Sequence, residues 1–249
     1  MVAAARGGGG RAQRREAALR PEAWWLALPS QGATPKEAMV HAPHPARSER
    51  ACLCDVLTEF GEDAPTLCEG WLTRDLAAHL FVRERRPLAM PGILLGGPFA
   101  KLTAGSMAFA LSRHGYAGLV AKVRSGPPLL WRPLDDLANT AELFVHTEDV
   151  RRAAPGSEPR NDPQLDAALW AALGRMSRVL TRKVQGVGLE LERPDGGRIV
   201  ARRGEPGAVL SGGAQEIVLF LYGRKRVARV SLGGPEEAQR IVREARFGI

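Results

Sequence analysis

The stretch AELFVHTED, residues 141–149, and the stretch DLAAH, residues 75–79, decide how the rest of this chain is interpreted. Glu142 and His146 are four residues apart, so on a helix a carboxylate oxygen and an imidazole nitrogen share one face and can converge on one point. His79, on a second helix, offers a third ligand. Three nitrogen and oxygen ligands that leave a fourth position open are what a catalytic divalent metal needs. The spacing therefore predicts a metal site inside a helical bundle.

The same spacing allows a purely structural interpretation. A carboxylate on a buried helix face is costly unless it is paired, neutralised or bound to a metal. A salt bridge from Glu142 or Asp149 to Arg74, Arg83 or Arg86 would meet that requirement as well. The residue spacing by itself does not separate the two interpretations.

Composition narrows the classes of protein to consider. The chain has 249 residues, of which 45% are hydrophobic, and a formal net charge of +8. Its arginines are spread among acidic residues and are not interleaved with aromatics, so the basic balance indicates a compositional bias of the genome and not a nucleic-acid site. No apolar run approaches the ~20 residues of a membrane span. A cytoplasmic protein without a membrane or nucleic-acid partner is expected.

The three cysteines do not form a recognisable framework. Cys52, Cys54 and Cys68 are an odd number, and the first two are two residues apart on a predicted helix, where they point in different directions. Such spacing is typical neither of a disulfide scaffold nor of a zinc knuckle. They are expected to be reduced thiols.

Residues 1–46 are predicted to be a disordered N-terminal extension. Glycines and prolines are frequent there, and the one apolar cluster, residues 24–28, is shorter than the ~7–15 residues of a signal-peptide core. Met39 stands just before the first regular pattern. We hypothesise that translation begins at Met39.

Helical periodicity dominates residues 47–184, and alternation replaces it afterwards. Thr73 is a predicted N-cap with Asp75 in the first turn, and the Gly-rich segment 91–98 is predicted to be a mobile loop over the mouth of the bundle. The predicted helices are 47–61, 73–86, 101–125 (broken near Gly105 and Gly115), 135–152 and 165–184. The predicted C-terminal elements are a hairpin at 188–201, a buried helix at 214–222, a strand at 226–232 and a closing helix at 236–246. This order gives an α+β protein with a metal-binding helical bundle at 47–160, a fifth helix at 163–184 that packs on it or links it onward, and a small α+β domain at 185–249.

Three segments together resemble one protein family. They are CEGWLTRDLAAHL at 68–80, the Glu142-to-His146 helix, and LFLYGR at 219–224. The chain resembles the mycothiol-dependent maleylpyruvate isomerase group of the DinB-like metal-binding superfamily, in an actinobacterial subfamily, over about residues 47–249. The resemblance implies a four-helix bundle that binds a divalent metal, usually zinc, through His79, Glu142 and His146. It also implies a sterol-carrier-like C-terminal domain in which a Gly-Arg pair falls on Gly223 and Arg224.

The resemblance leads to a functional hypothesis with two rivals. Zinc held by two imidazoles and a carboxylate can lower the pKa of a thiol or water, so an isomerase or transferase that uses mycothiol on a small acidic or electrophilic substrate is expected. Arg224 or Arg83 is a candidate to receive a substrate carboxylate, although surface solvation explains either arginine too. Asp75 and Asp149 are candidates to orient an imidazole. The rivals are a hydrolase that uses metal-bound water and a non-enzymatic metal-binding or regulatory module.

Overall fold

The computed structural model describes residues 44–85, 98–154 and 156–247. All of them belong to one unit of the chain, Met39–Ile249. The predictions for residues 1–43, including the start at Met39, lie outside the described residues. So do residues 91–97 of the loop predicted at 91–98, whose last residue, Pro98, is helical. Residues 45 and 46 belong to the first helix and not to the extension, because Pro45 occupies the first helical turn, where proline is favoured.

The described residues form a mixed α+β fold, as the sequence predicts. The helices are α1 Pro45–Phe60, α2 Thr73–Arg85, α3 Pro98–Arg124, a 3-10 helix Leu129–Leu134, α4 Asp135–Arg151, α5 Pro163–Leu180, α6 Ala214–Leu221 and α7 Glu236–Glu244. The strands are β1 Gly188–Glu192, β2 Arg198–Arg202, β3 Gly207–Ser211 and β4 Ser231–Gly233. None of the described helices combines the length and apolarity that crossing a membrane requires.

The sheet has the strand order β2-β1-β3-β4. β1 and β2 form the predicted antiparallel hairpin. β3 was not predicted; it pairs parallel to β1 and antiparallel to β4. The strand predicted at 226–232 is wrong over most of its length, because β4 covers only Ser231–Gly233.

Two predicted helix details also differ from the structure. α3 is broken at Gly115, whose φ of 64° is left-handed, but Gly105 is helical. Thr73 is the first helical residue and not the cap, and its hydroxyl donates to the carbonyl of Gly61. The carboxylate of Asp75 instead accepts the backbone N–H of Leu72 at 3.0 Å, which caps α2.

α4 is the helix around which the described residues pack. Leu143 and Val150 belong to an apolar core shared with α1, α2 and α3, whereas Phe144 and Val145 belong to a second core with α5, the sheet, α6 and α7. Because α4 packs on both sides, several of its polar residues are buried, among them His146, Glu148 and Asp149. The candidate site lies on this helix and on α2.

A close backbone approach at the start of β1 yields a first prediction. A methyl group at Gly188 would lie 2.2 Å from the carbonyl oxygen of Gly204, so Gly188→Ala must displace backbone. We expect it to lower the free energy of unfolding by about 1–3 kcal/mol, measured by urea denaturation. The control is Gly174→Ala on α5, where a methyl group meets nothing within 4 Å and removal of a helical glycine is expected to stabilise by about 0.5–1 kcal/mol. Equal stability changes in the two variants would contradict the prediction.

Candidate metal site

The structure brings His79, Glu142 and His146 together. The Oε1 atom of Glu142 lies 3.2 Å from Nε2 of His146 and 3.7 Å from Nε2 of His79. One ligand atom from each residue lies within 4.8 Å of the others. The two imidazole rings meet edge to face with centroids 5.3 Å apart. The three residues that the sequence singled out therefore converge from α2 and α4.

The spacing of these atoms fits a divalent metal. Tetrahedral ligands at about 2.0–2.2 Å from zinc lie roughly 3.4 Å from one another. The distances from Glu142 to the two histidines, 3.2 and 3.7 Å, lie on either side of that value. Two imidazoles and a carboxylate are also the donor types that zinc accepts in catalytic sites.

Asp149 orients the ring of His146. Its Oδ2 atom lies 2.9 Å from Nδ1 of His146. Burial alone would raise the pKa of the Asp149 carboxyl, but hydrogen bonds with His146 and Arg224 outweigh it and lower the pKa to about 2. A carboxylate has no proton to give, so Nδ1–H of His146 donates to Asp149, and Nε2 faces Glu142 and the candidate site.

The charges around the site favour an ionised Glu142. Burial raises the pKa of its carboxyl, but the Arg83 guanidinium, the hydrogen bond with His146 and the nearby His79 ring hold it well below its usual range. Burial lowers the pKa of His146, yet its bonds to Asp149, Cys68 and Glu142 raise it well above the ordinary value. The Arg83 guanidinium and the protonated ring of His146 therefore supply the positive charge that stabilises the Glu142 carboxylate.

His79 behaves differently from His146. Burial lowers its pKa more than the nearby Glu142 carboxylate raises it, so the ring favours the neutral form that binds metals. Its Nδ1 atom is buried and has no hydrogen-bond partner among the described residues. The ring packs on Trp71 with centroids 5.1 Å apart.

Arg83 forms the salt bridge to Glu142 that the structural interpretation predicts, at the carboxylate that also faces the two histidines. Its Nε atom lies 3.4 Å from Oε1 of Glu142. Its other nitrogens donate to the side chain of Asn139 and to the carbonyl of Ala138. The contact falls on the same oxygen that faces the two histidines, so a bound ion would share Oε1 with Arg83 or displace the guanidinium. A role for Arg83 toward a substrate stays a prediction.

Arg224 is engaged within the protein. Its guanidinium donates to both oxygens of Asp149 at 2.8 and 2.6 Å and to the carbonyl of Tyr222. It thus supports the carboxylate that orients His146, and its predicted contact with a substrate carboxylate stays a prediction. Asp75 has its capping bond to Leu72, and a role in orienting an imidazole likewise stays a prediction.

Cys68 is a site residue that the sequence analysis missed. Its thiol donates to Oδ2 of Asp149 at 3.2 Å and lies 3.3 Å from a nitrogen of Arg224. Cys68, His146 and Asp149 form a second group of potential ligands within 4.8 Å. The loop that carries Cys68 is held to α4 by the hydrogen bond from the N–H of Leu67 to the Asp149 carbonyl, at 2.9 Å. This contact crosses about 80 residues of chain, so local spacing carried no signal for it.

An open cavity of about 620 Å³ reaches His79 from the side of α3. α2 contributes Asp75, Ala78 and His79 to its lining, and α3 contributes Met107 and Leu111. Trp71 forms another part of the wall. This volume is in the usual range of small-molecule sites.

Comparisons with known proteins find similar solved structures, at low sequence identity. No protein-family model and no curated protein matches the chain. Two solved structures are similar to it, both of mycothiol-dependent maleylpyruvate isomerase, one of them a histidine-to-alanine mutant. The identities are 21% and, for the mutant, 20%; each covers 77% of this chain and 92% of the other, with a TM-score of 0.47. They are from the same group of proteins that the sequence resembles.

The bond between Asp149 and His146 supplies the second prediction. Asp149→Asn removes the charge that holds the His146 tautomer, so we expect the affinity for zinc to fall about 10–100-fold, measured by titration against a competing chelator. The control is Asp55→Asn, because Asp55 is an exposed carboxylate paired with Arg124 away from the site. Unchanged affinity in Asp149→Asn, with a melting temperature like that of the control, would show that Asp149 does not orient a metal ligand.

Proposed function

We propose that this chain is a zinc-dependent enzyme that uses a low-molecular-weight thiol, mycothiol, for isomerase- or transferase-type chemistry on a small acidic or electrophilic substrate. The observation that carries the proposal is the convergence of His79, Glu142 and His146 beside a cavity that reaches His79. Mycothiol is proposed from the sequence resemblance, because the donor atoms favour a metal but do not select a thiol. On the same ground we propose a DinB-like four-helix bundle at 47–160 and a sterol-carrier-like domain at 185–249.

Bound zinc would supply Lewis acidity that brings the pKa of a thiol or water into the physiological range. The residues of the chain set the conditions for it. Asp149 keeps the proton of His146 on Nδ1, and the Arg83 guanidinium beside Glu142 keeps that carboxyl ionised. Trp71 packs on the ring of His79. The cavity beside His79 would give an electrophile access to this site.

A thiol panel tests the proposal directly. Purified protein with its metal content measured would be incubated with monochlorobimane and either mycothiol, glutathione, coenzyme A or no thiol. Formation of the thioether releases chloride and the thiol proton, and the adduct is quantified by fluorescence and mass. We expect protein-dependent adduct formation with mycothiol above the rate without protein. Hydrolysis of ester probes without any thiol would instead support a hydrolase, and neither activity in a zinc-loaded protein would support a non-enzymatic module.

A further inference from the structure

A cluster of exposed apolar side chains lies on the 3-10 helix and the first turn of α4. Its members are Leu129, Leu130, Trp131, Leu134 and Leu137, which are 76, 81, 47, 49 and 50% exposed. The other large apolar residues that are exposed in the described part of the chain are scattered over other elements. Single exposed apolar residues are ordinary on a protein surface, but a contiguous cluster indicates an interaction site. We call these five residues the leucine-tryptophan face.

Local structure holds this face outward. No residue of the 3-10 helix Leu129–Leu134 is buried. Side chains three residues apart line up in such a helix, so Trp131 and Leu134 lie on one side of it, and Leu137 extends that side into α4. The end of the helix is fixed, because Asp135 binds the buried Arg50 side chain at 2.7 Å. A partner would therefore meet a preformed surface, and little entropy would be lost in ordering it.

A groove of about 400 Å³ adjoins the leucine-tryptophan face. Pro133 and Leu137 belong to its wall, so the groove and the apolar cluster are continuous. α5 contributes Ala168 and Ala171, whose small side chains leave room for a larger one. The same region of the surface thus carries both exposed leucines and an apolar recess. A surface that offers both can pair with a second copy of itself across a two-fold axis.

The charges around the groove have both signs. Asp136 and Arg175 line it, and Arg132 is exposed in the adjoining 3-10 helix. The Asp136 carboxylate bonds His44 and Ala46, and its side chain is still 37% exposed. In a two-fold pair, an arginine of one copy can face Asp136 of the other. This mixture of charges suits a second copy of the chain better than an anionic lipid surface, which attracts basic residues and repels a carboxylate.

The area of the leucine-tryptophan face matches the core of a dimer interface. Its five side chains expose on the order of 500 Å² of apolar surface, near the upper end of the largest patch on a typical monomer. Stable interfaces bury about 800 Å² on each partner, with an apolar and aromatic core inside a polar rim. The face would supply that core, and the groove and its charged residues would supply the remainder.

We propose that the leucine-tryptophan face and its groove form the interface of a symmetric homodimer. Leu130 is the most exposed of the five residues. Together with Leu129 it enters the groove between Leu137 and α5 of the second copy, whose own leucines fill the groove of the first. None of these residues belongs to the candidate metal site, so the inference is independent of the proposed function.

The oligomeric state of the full chain tests the proposal. Sedimentation velocity would be measured over roughly 1–100 µM protein, and we expect a species of two chains with a dissociation constant of about 10 µM or less. A monomer at every concentration would overturn the proposal. Binding of that monomer to vesicles of phosphatidylcholine and phosphatidylserine would assign the face to a lipid surface instead.

One charged substitution locates the interface. Leu130→Glu places a carboxylate on the most exposed position of the face and is expected to weaken the dimer at least about 100-fold. Val200→Glu is the matched control, because Val200 is a 49% exposed apolar residue of β2 outside the face, and it should leave the dimer unchanged. Circular dichroism and melting should show both variants folded, since both positions are exposed. A dimer that tolerates Leu130→Glu would overturn the assignment.

A second variant tests the contact between the leucines and the groove. Ala171→Trp fills the groove from an exposed position of α5 and should also give a monomer. The Leu130→Glu chain keeps its groove and the Ala171→Trp chain keeps its leucines, so a mixture of the two can form one of the two reciprocal contacts. We expect the mixed pair to associate about tenfold or more tightly than either variant with itself. Monomers in the mixture, or a full dimer of Ala171→Trp alone, would overturn the reciprocal arrangement.

Discussion

The His146→Ala variant is expected to lose bound zinc, with an affinity more than about 100-fold below that of the unaltered protein. A residue that only orients a metal ligand contributes about 10–100-fold, and removal of a ligand costs more. His146 is also the residue that joins Glu142 on one side to Asp149 on the other. Metal content after dialysis, measured by mass spectrometry, should fall from about one ion per chain to background.

His79→Ala and Glu142→Ala should behave in the same way if all three residues are ligands. His44→Ala is the matched control, because His44 is a largely exposed histidine that bonds Asp136 and lies outside the site. Circular dichroism and melting would show that each variant is folded. Full metal content in all three site variants would mean that Glu142 serves only the salt bridge to Arg83 and that the ion binds elsewhere.

The pair of Glu142 and His146 could be predicted because its signal is local, and the family resemblance supported His79 as the third candidate ligand. Glu142 and His146 share a helical face by spacing alone, and the helix that carries His79 is bounded by a loop and a capping carboxylate. Sequence could not choose between a metal site and a salt bridge, and the structure shows why: Glu142 contacts both histidines and Arg83. Both interpretations use one carboxylate.

Contacts between distant segments were beyond the sequence. Cys68 meets Asp149 and Arg224 only because a loop, a helix and the C-terminal part fold onto one another. β3 is a short run whose place is set by parallel pairing with β1, and such pairing leaves no local periodicity. These features depend on packing partners that spacing does not reveal.

The strand predicted at 226–232 failed for an identifiable reason. Its residues alternate in a way that is typical of a strand, but side chains take the backbone groups that a strand would pair. The Val227 carbonyl accepts from Arg152 at 2.9 Å, and the Arg229 N–H donates to Glu216 at 2.7 Å. Two buried charged residues therefore replace a neighbouring strand as the partners of this segment.

Arg152→Ala is expected to lower the free energy of unfolding by about 3–5 kcal/mol, because it leaves buried charge without its partner. Arg152 lies at the end of α4 and donates to Glu148 at 2.5 Å and to both oxygens of Glu216 at 3.0 and 2.6 Å. The side chain of Glu148 is fully buried, and that of Glu216 is 9% exposed. In Arg152→Ala, Glu148 still pairs with Arg151 and Arg160. Glu216 loses the guanidinium of Arg152 and keeps its hydrogen bond from the N–H of Arg229.

Urea denaturation of two further variants distinguishes loss of the charge pair from loss of packing. Arg240→Ala removes an exposed arginine that pairs with Glu237 and Glu244, and it should change stability by only about 0–1 kcal/mol. The double variant Arg152→Met with Glu216→Met removes both buried charges and should recover much of the lost stability. If the double variant is as unstable as Arg152→Ala, the bond to Val227 and the packing of the side chain, and not the unpaired carboxylate, account for the loss. Recovery would instead show that the loss in Arg152→Ala comes from the unpaired carboxylate of Glu216, because two apolar side chains can take the place of the ion pair.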